Sequence, residues 1–516
     1  MLSTAVVVGV LAAAGRYADG DMGHLLAVEI RLAQLVRSGD LLGAARFWWA
    51  LIAPQPPIGY LPGIVAYTAF GVRPFVATFT MGLVLLLCWD ALWRMWGARA
   101  WMAWLPIVAS PLVWLGVEQH GRDLVCGAAL IQALSWLLAT RGFADRRASV
   151  AFGAWLGVGF MTKYTFPLFA VFACLWGGAV LLLHSRDPAG RLDRWRNLGW
   201  GVAGFLGPAG AWYAVRGVAV LQYAGFSTSA GMAENSANYH ASSSFADLAY
   251  YPLALRDALS LPGLVLVVAA AVVALSRRAD RAPVLVCLAA ALGGVGVLAP
   301  LPQAVDRYAL PAFLALAAVL PALGFRRWGA VPVVAVFLTQ GVATVLRFAP
   351  GAPTITANYD HPLDSLSALA WPAPATYRPS DLDPGAWNVA DAATAIRRTQ
   401  GRADGTIGVL TGRGPDAGPS FATLLLATAS KGYRYDFAMF NTHPAPGAPA
   451  VFVGPLFDGT RPSAAFTTVY VVRPPNADPA IDRWLGEHEV EETARFPGPA
   501  GATTLVYRVT GARSHR

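Results

Sequence analysis

The chain has 516 residues, of which 56% are hydrophobic and 13% are charged, and its mean hydropathy is +0.48. An average soluble domain carries about 25% charged residues, so this composition excludes an ordinary globular enzyme. The formal net charge of +9 does not indicate a nucleic-acid partner, because the arginines form short clusters between apolar runs and no continuous basic face.

Apolar runs recur along the first 347 residues. A spanning helix needs about 20 mostly apolar residues, because about 30 Å of hydrocarbon is crossed at a rise of about 1.5 Å per residue. About eleven segments meet or approach this length, which predicts a mainly α, polytopic transmembrane bundle. They lie near residues 2–15, 73–93, 100–117, 124–140, 148–162, 165–183, 198–216, 260–275, 282–300, 308–323 and 329–346.

Arginines occur in every second loop of this pattern. Because cytoplasmic loops are enriched in Lys and Arg, the pattern predicts a cytoplasmic N-terminus and places everything after Arg347 on the outer side. A cleaved signal peptide is the alternative for the short first run, although that run has no basic n-region. The arginines of the predicted inner loops are Arg94, Arg99, Arg141, Arg146, Arg147, Arg186, Arg191, Arg194, Arg196, Arg277, Arg278, Arg281, Arg326 and Arg327.

The composition changes near residue 348, where Pro, Gly, Asp and Thr become frequent and no further spanning run occurs. We therefore predict a transmembrane domain, residues 1–347, and an extracytoplasmic α/β domain, residues 348–516. No Gly-rich phosphate loop, nucleophile elbow or HExxH motif marks the second domain as catalytic. Its predicted elements are strands at Thr406–Thr411, Tyr435–Phe440, Val451–Gly454, Thr467–Val472 and Thr503–Val509 and helices at Ser420–Ser430 and Pro479–His488.

The first predicted outer loop begins with the acidic segment YADGDMGH, which places Asp19 and Asp21 directly after the first span. A carboxylate here can act as a general base on an acceptor hydroxyl. It can also cap the helix predicted for LLAVEIRLAQLV, and capping is the commoner role of an isolated aspartate in such a loop. The same loop ends in the proline-rich segment APQPPIGYLPG.

The second outer loop, VEQHGRD, lies between two long apolar runs and contains Glu118, His120, Arg122 and Asp123. Ionisable groups so near a membrane core are costly, and their default interpretation is functional. The alternative is a set of snorkelling side chains or a simple ion pair between Arg122 and Asp123. The combination of a histidine, an arginine and two carboxylates in one short loop favours a site.

Two further outer segments add cations and tyrosines. GFMTKYTFP contains Lys163 and Tyr164, and LPQAVDRYALP contains Asp306, Arg307 and Tyr308. Lysine and arginine can neutralise a phosphate leaving group, which arginine contacts through paired hydrogen bonds. Four loops thus place carboxylates and cations at one face of the membrane, at the depth where a phosphate on a polyprenyl tail would lie. The spacing alone does not establish that these loops converge.

Five short motifs in this order resemble the GT-C superfamily of glycosyltransferases that use polyprenyl-phosphate sugars. The likeness is to glycosyltransferase family 39, which includes protein O-mannosyltransferases and lipid A aminoarabinose transferases. The motifs are ADGDMGH, QPPIGY, GRDLVCGAAL, GVGFMTKYT and DRYALP, all within residues 1–347. The resemblance implies a GT-C bundle and an inverting transfer of a sugar to a hydroxyl or phosphate acceptor on the outer side of the membrane.

The resemblance also implies residue roles. Asp21 or Asp19 would be the catalytic carboxylate of the first loop, and Asp123 would be the second acid of the site. Lys163 and Arg307 would contact the phosphate of the lipid donor. Further candidates for substrate binding, from the loops described above, are Glu118, His120, Arg122, Tyr164 and Tyr308.

Two positions depart from the family pattern. Many relatives have an acid where this chain has Met22, and aminoarabinose transferases have lysine where it has Gln55, which argues against aminoarabinose transfer. The expected partners are a polyprenyl-phosphate-linked sugar donor, membrane lipid and an envelope lipid, glycan or protein acceptor. The expected location is the inner membrane of a bacterium.

Other interpretations stay open. A transporter or flippase is the main alternative, although its charges often lie at mid-membrane between repeated halves, whereas here they lie at one rim and no repeat is evident. A sensor domain anchored by the spans is a third, but it would need fewer spans. All four cysteines lie in apolar runs, so no disulfide framework or CxxC metal site is predicted. No cofactor is predicted with certainty, and a divalent metal ion held by loop carboxylates stays open.

The outer loop from about Gly217 to Tyr251 is rich in Ser, Ala and Asn and contains Glu234, Tyr239 and His240. Such a segment is too polar and too small-sided to pack a core. We predict that it is mobile until substrate binds.

Overall fold

The computed structural model describes residues 2–14, 21–51, 56–118, 121–184, 188–227, 245–300, 306–324, 330–348, 387–402, 404–411, 421–440, 451–453, 467–473, 479–498 and 501–512. The helices of the N-terminal part are α1 (Leu2–Ala14), α2 (Asp21–Arg37), α3 (Leu41–Leu51), α4 (Leu61–Phe70), α5 (Pro74–Trp96), α6 (Trp101–Ala109), α7 (Pro111–Glu118), α8 (Arg122–Ala139), α9 (Arg146–Phe160), α10 (Phe166–His184), α11 (Pro188–Ser227), α12 (Phe245–Leu259), α13 (Leu261–Ser276), α14 (Arg278–Leu298), α15 (Leu310–Ala317) and α16 (Ala330–Phe348).

Every predicted span coincides with at least one of these helices. By length and composition, four stretches of the described residues can each cross a membrane, Thr78–Ala109, Arg122–Ala139, Phe166–Leu183 and Arg278–Leu298. A fifth is added if α12 and α13, which meet at a 96° bend, form one broken span. The run near residues 100–117 is two helices, because the chain is extended at Ser110 before Pro111.

Helix α8 lies at the centre of the bundle. Nearly all of its side chains are buried, and it packs against α5, α9, α10 and α15. The absence of a side chain at Gly127 permits the close approach of α15, since a Cβ atom there would lie 2.6 Å from Leu314 Cδ1. The bundle core therefore fixes both ends of α8, and the candidate site residue Asp123 is in its first turn.

At one end of the bundle, arginines of the predicted inner loops donate hydrogen bonds to groups of neighbouring helices and loops. Arg99 donates to Asp280 at 2.9 Å, and Arg277 donates to the carbonyl of Ala322. Arg194 likewise donates to the carbonyls of Arg141 and Gly142. Asp123, Lys163 and Arg307 meet at the other end of α8 (see below), so the two loop sets lie at opposite ends, while the side each end faces stays a prediction.

The C-terminal part contains helices α17 (Val389–Gln400), α18 (Phe421–Ser430) and α19 (Pro479–Glu487) and six strands. The sheet order is β3-β2-β1-β4-β6-β5, with β1 parallel to both β2 and β4 and the remaining pairs antiparallel. The strands are β1 (Asp404–Thr411), β2 (Arg434–Phe440), β3 (Val451–Val453), β4 (Thr468–Arg473), β5 (His488–Pro497) and β6 (Thr503–Ala512). The predicted α/β character is confirmed, but the sequence did not indicate α17 or β5.

The two parts share a hydrophobic core. Leu26 and Ile30 of α2 and Tyr67 of α4 belong to the same buried cluster as Ile407 of β1 and Leu424 of α18. Gln34 of α2 also lies 3.5 Å from the carbonyl of Tyr433. The helix that follows the acidic motif therefore packs against the C-terminal sheet domain.

The predicted mobile loop is only partly described. Helix α11 continues to Ser227 and α12 begins at Phe245, so both ends of the Gly217–Tyr251 segment are helical. Glu234, Tyr239 and His240 lie outside the described residues.

Candidate functional site

A buried ion pair lies at the N-terminus of α8. Lys163 Nζ donates to Asp123 Oδ1 at 2.6 Å, and both side chains are buried. Asp123 is in the first turn of α8, where a carboxylate is stabilised by the helix dipole. Lys163 lies in the turn between α9 and α10, which is closed by hydrogen bonds from Met161 N to Gly157 O and from Thr162 N to Gly159 O.

Asp123 is shared by a second cation. Arg307 Nε lies 3.6 Å from Asp123 Oδ2, and the Arg307 side chain is one-fifth exposed (20%). Lys163 Nζ also lies 3.9 Å from the ring centroid of Tyr308, in cation–π geometry. The Tyr308 hydroxyl is 3.3 Å from that of Tyr164. Residues from the GRD, TKY and DRY motifs therefore contact one another.

The PPIGY segment joins the same cluster. Ile58 N donates to Met161 O at 2.8 Å, which attaches the short 3₁₀ helix Pro57–Tyr60 to the turn that carries Lys163. A Cβ atom at Gly59 would lie 2.5 Å from Arg122 Cδ and 2.9 Å from Thr162 O, so any other residue there would displace the Arg122 side chain and the turn at Thr162. The Arg122 guanidinium lies 4.7 Å from the Tyr60 ring centroid. Arg122 is thus placed by stacking on Tyr60, beside Asp123.

Burial lowers the pKa of the Lys163 ammonium to about 8, with the Asp123 carboxylate opposing this shift and Arg307 adding to it. The chain has only two lysines, Lys163 and Lys431, and Lys431 lies in the C-terminal domain. Arginine is the usual cation everywhere else in the chain. Lysine is a compact point charge whose pKa shifts readily on burial, unlike arginine. This scarcity is a sequence signal for Lys163 that adds to its motif.

Two solved structures resemble the chain over nearly its full length. The chain is similar to the crystal structure of ArnT from Cupriavidus metallidurans bound to undecaprenyl phosphate, with 18% identity, a TM-score of 0.59, and coverage of 98% of this chain and 96% of that chain. The apo form of the same protein matches with a TM-score of 0.57. No family model and no curated protein matches the chain.

The chain has a GT-C fold. At 18% identity the likeness establishes the fold and not the reaction, and it confirms the predicted transmembrane bundle with a C-terminal α/β domain. The assignment to family 39 and the roles of individual residues stay predictions.

The remaining predicted site residues of this GT-C chain are less completely defined. Asp21 is the first residue of α2, but its side chain is not described, and Asp19 and His120 lie outside the described residues. Glu118 ends α7 and Asp306 begins a 3₁₀ turn, in both cases without a described side chain. Within the described part of the chain, no group of three or more His, Cys, Asp or Glu residues is arranged to hold a metal ion.

Two buried charged groups near this end of the GT-C bundle were not predicted. Glu29 of α2 is fully buried and, after burial itself, contributes to raising the pKa of Tyr67. Asp257 accepts from Arg256 Nε at 2.7 Å, at the end of α12, which contacts the 3₁₀ turn that carries Arg307. Glu29 lies in the segment LLAVEIRLAQLV, for which only a helix was predicted, and the Arg256–Asp257 pair belongs to none of the five motifs. The sequence signal available for Glu29 was its position between the apolar residues Val28 and Ile30.

Proposed function

We propose that this GT-C protein is an integral membrane glycosyltransferase of the family 39 type. It transfers a sugar from a polyprenyl-phosphate donor to an envelope lipid, glycan or protein on the outer side of the membrane. The observation that carries the proposal is the buried contact of Lys163 with Asp123, with Arg307 and Tyr308 beside it. ArnT, which has this fold, binds undecaprenyl phosphate.

The cluster is suited to a lipid phosphate. Lys163 and Arg307 face one carboxylate from different loops, so their positive groups lie close together. A phosphate that enters the site contacts the same cations. Because the site is buried, these contacts are stronger than they would be in water. The cations stabilise the phosphate in the ground state and still more as a leaving group, when its charge increases.

The reaction is a single displacement at the anomeric carbon. The acceptor oxygen forms a bond to that carbon while the bond to the phosphate oxygen breaks, which inverts the configuration and releases polyprenyl phosphate. Asp21 is assigned as the base that removes the acceptor proton. Asp123 already receives a hydrogen bond from Lys163 and lies near Arg307, so we assign it to positioning these cations.

The test uses the full chain in lipid nanodiscs, with radiolabelled polyprenyl-phosphate sugars and an extract of envelope acceptors. Transfer of label to an acceptor together with release of polyprenyl phosphate is the expected result. Lys163→Ala should abolish transfer, whereas Lys431→Ala, the same change at an exposed position, should not. Movement of intact donor across the bilayer without cleavage would instead establish the flippase alternative.

A further inference from the structure

A cavity lies at the C-terminal end of α8, away from Asp123. This cavity, of about 220 Å³, separates the C-terminus of α8 from α10 and reaches Ala282 of α14. Its wall is mostly apolar, with Arg141 and Thr140 as the polar members. The apolar side chains are Leu137, Leu138, Phe143, Trp176, Val180 and Ala282.

The chain leaves α8 through a strained turn that forms one side of this cavity. Arg141, Gly142 and Phe143 all have positive φ angles of 50°, 68° and 63°. Two of these are not glycine, and a left-handed backbone at such residues is uncommon and costs energy. Arg194 of α11 donates to the carbonyls of Arg141 and Gly142, and Asn197 donates to that of Phe143. The long helix α11 thus holds the turn in this form.

Gly177 keeps the opposite wall open. A Cβ atom at Gly177 would lie 3.0 Å from Leu137 Cδ1 and 3.7 Å from Phe143 Cζ, so any larger side chain there would enter the cavity. Gly178, the next residue of α10, has no heavy atom within 4 Å of its Cβ position. The two neighbouring glycines therefore form a matched pair, one lining the cavity and one facing open space.

The position of the cavity in the membrane indicates its ligand. Helix α10 is a candidate span, and its outer side carries the exposed residues Leu175 (64%) and Leu182 (63%), next to the lining residue Trp176. Exposed leucines on a candidate span indicate that this outer side faces lipid. The Arg141 side chain is exposed at the end of α8, and Arg281 precedes the lining residue Ala282. The one acid of the turn, Asp145, caps α9 by accepting from Ala148 N.

We infer that this cavity binds an anionic phospholipid of the surrounding bilayer, with part of an acyl chain against Trp176 and Val180 and the headgroup phosphate at Arg141. The occupant follows from the combination of an apolar wall at a lipid-facing helix and a cationic rim. Binding fills the space beside the left-handed turn and stabilises the folded bundle. The donor site at Asp123 is at the opposite end of α8, so this lipid is structural and separate from the reaction.

The test measures thermal unfolding of the delipidated full chain in detergent, with added phosphatidylglycerol, phosphatidylcholine or inorganic phosphate. Phosphatidylglycerol should raise the Tm by a few degrees and be retained in native mass spectra, as expected for a ligand that binds only the folded state. Phosphatidylcholine and inorganic phosphate should have little effect. An equal shift with phosphatidylcholine, or a shift with undecaprenyl phosphate but none with phosphatidylglycerol, would overturn the inference.

Three variants locate the effect. Gly177→Leu fills the cavity and should abolish the shift caused by phosphatidylglycerol, whereas Gly178→Leu should retain it. Arg141→Gly removes the charge and relieves the left-handed strain, so it should not lower the Tm without lipid, yet its affinity for phosphatidylglycerol should fall about tenfold. Because this variant does not depend on a repacked cavity, it decides the question even if Gly177→Leu folds poorly. An unchanged affinity in Arg141→Gly contradicts the assignment of the phosphate.

Discussion

Asp123 and Asp280 are two buried acids at opposite ends of the same bundle. Each is in the first turn of a core helix, α8 or α14, and each pairs with a cation. The partner of Asp280 is Arg99, whose side chain is 40% exposed and also donates to the carbonyl of Pro321. The partner of Asp123 is the buried Lys163, with Arg307 also in reach.

The Arg99–Asp280 ion pair joins helices, whereas the Lys163–Asp123 pair, with Arg307 nearby, places two cations around one carboxylate. At the Asp280 end the arginines donate to backbone carbonyls at helix ends. Arg277 donates to the carbonyl of Ala322, and Arg194 donates to the carbonyl of Arg141. These contacts satisfy backbone groups that helices leave unpaired. At the Asp123 end the cations converge on one carboxylate and on aromatic rings, which is an arrangement suited to an anionic ligand.

The largest expected effect compares these two acids directly. Asp123→Asn keeps the side-chain shape but removes the charge that positions Lys163 and Arg307, so transfer should fall about 100-fold. Asp280→Asn makes the same change at the other end and should lower the free energy of unfolding by about 1–3 kcal/mol. This is less than for a fully buried pair, because Arg99 is partly exposed. Its turnover per folded molecule should stay within about twofold. Initial rates normalised to monodisperse protein measure both, and equal losses would remove the distinction between the two ends.

The same assay tests the first-loop acids. If Asp21 is the general base, Asp21→Asn should lower turnover about 100-fold while donor binding persists, because the lipid and its phosphate are held elsewhere. Asparagine caps a helix nearly as well as aspartate, which limits any structural effect. Asp19→Asn is the matched control and should retain most activity. If the losses are reversed between the two variants, Asp19 is the base.

Lys163→Ala should weaken binding of polyprenyl phosphate itself by about tenfold or more, because a charge-assisted hydrogen bond contributes roughly 1.5–3 kcal/mol. Equilibrium binding of a labelled polyprenyl phosphate measures this without any acceptor. Arg99→Ala, which removes a cation from the opposite end, should leave the affinity unchanged. An affinity loss of similar size in Arg99→Ala would show that the two ends are not distinct in ligand binding.

The pH dependence of binding gives a smaller effect with a defined sign. Since the pKa of Lys163 is about 8 in the free protein, its ammonium is present below that pH and is lost above it. The lipid phosphate has its second pKa near about 6 and does not change charge in this range. The Kd should therefore be flat between about pH 7 and 8 and rise above pH 8, by at most about tenfold per pH unit. Lys163→Arg remains charged and should remove this rise. A rise that persists in Lys163→Arg would assign it to another group.

The sequence predicted the helices better than the contacts between them. Apolar runs located α5, α8 and α10, because burial in lipid requires long uninterrupted hydrophobicity. The hydrogen bond from Ile58 N to Met161 O could not be predicted, since the two residues are far apart in sequence and backbone atoms carry no signature. Strand β5 was missed because it is a charged, bulged edge strand with most of its residues exposed or partly exposed.

The smallest expected effect concerns the glycine that lets the PPIGY turn approach the site. A methyl group at Gly59 would lie 2.5 Å from Arg122 Cδ, which can move, and 2.9 Å from the backbone oxygen of Thr162, which moves only with the turn that carries Lys163. We therefore expect Gly59→Ala to shift this turn by a few tenths of an ångström and to lower transfer by less than about tenfold, since a displacement of about 1 Å costs about 100-fold. Gly178→Ala adds the same methyl group to α10 in open space and should change neither rate nor stability beyond helix propensity. The binding of polyprenyl phosphate should weaken in parallel with the rate in Gly59→Ala, because the displaced residue is Lys163. A fall in rate with unchanged binding would mean that Gly59 acts on the acceptor side of the site, through Arg122 and Tyr60.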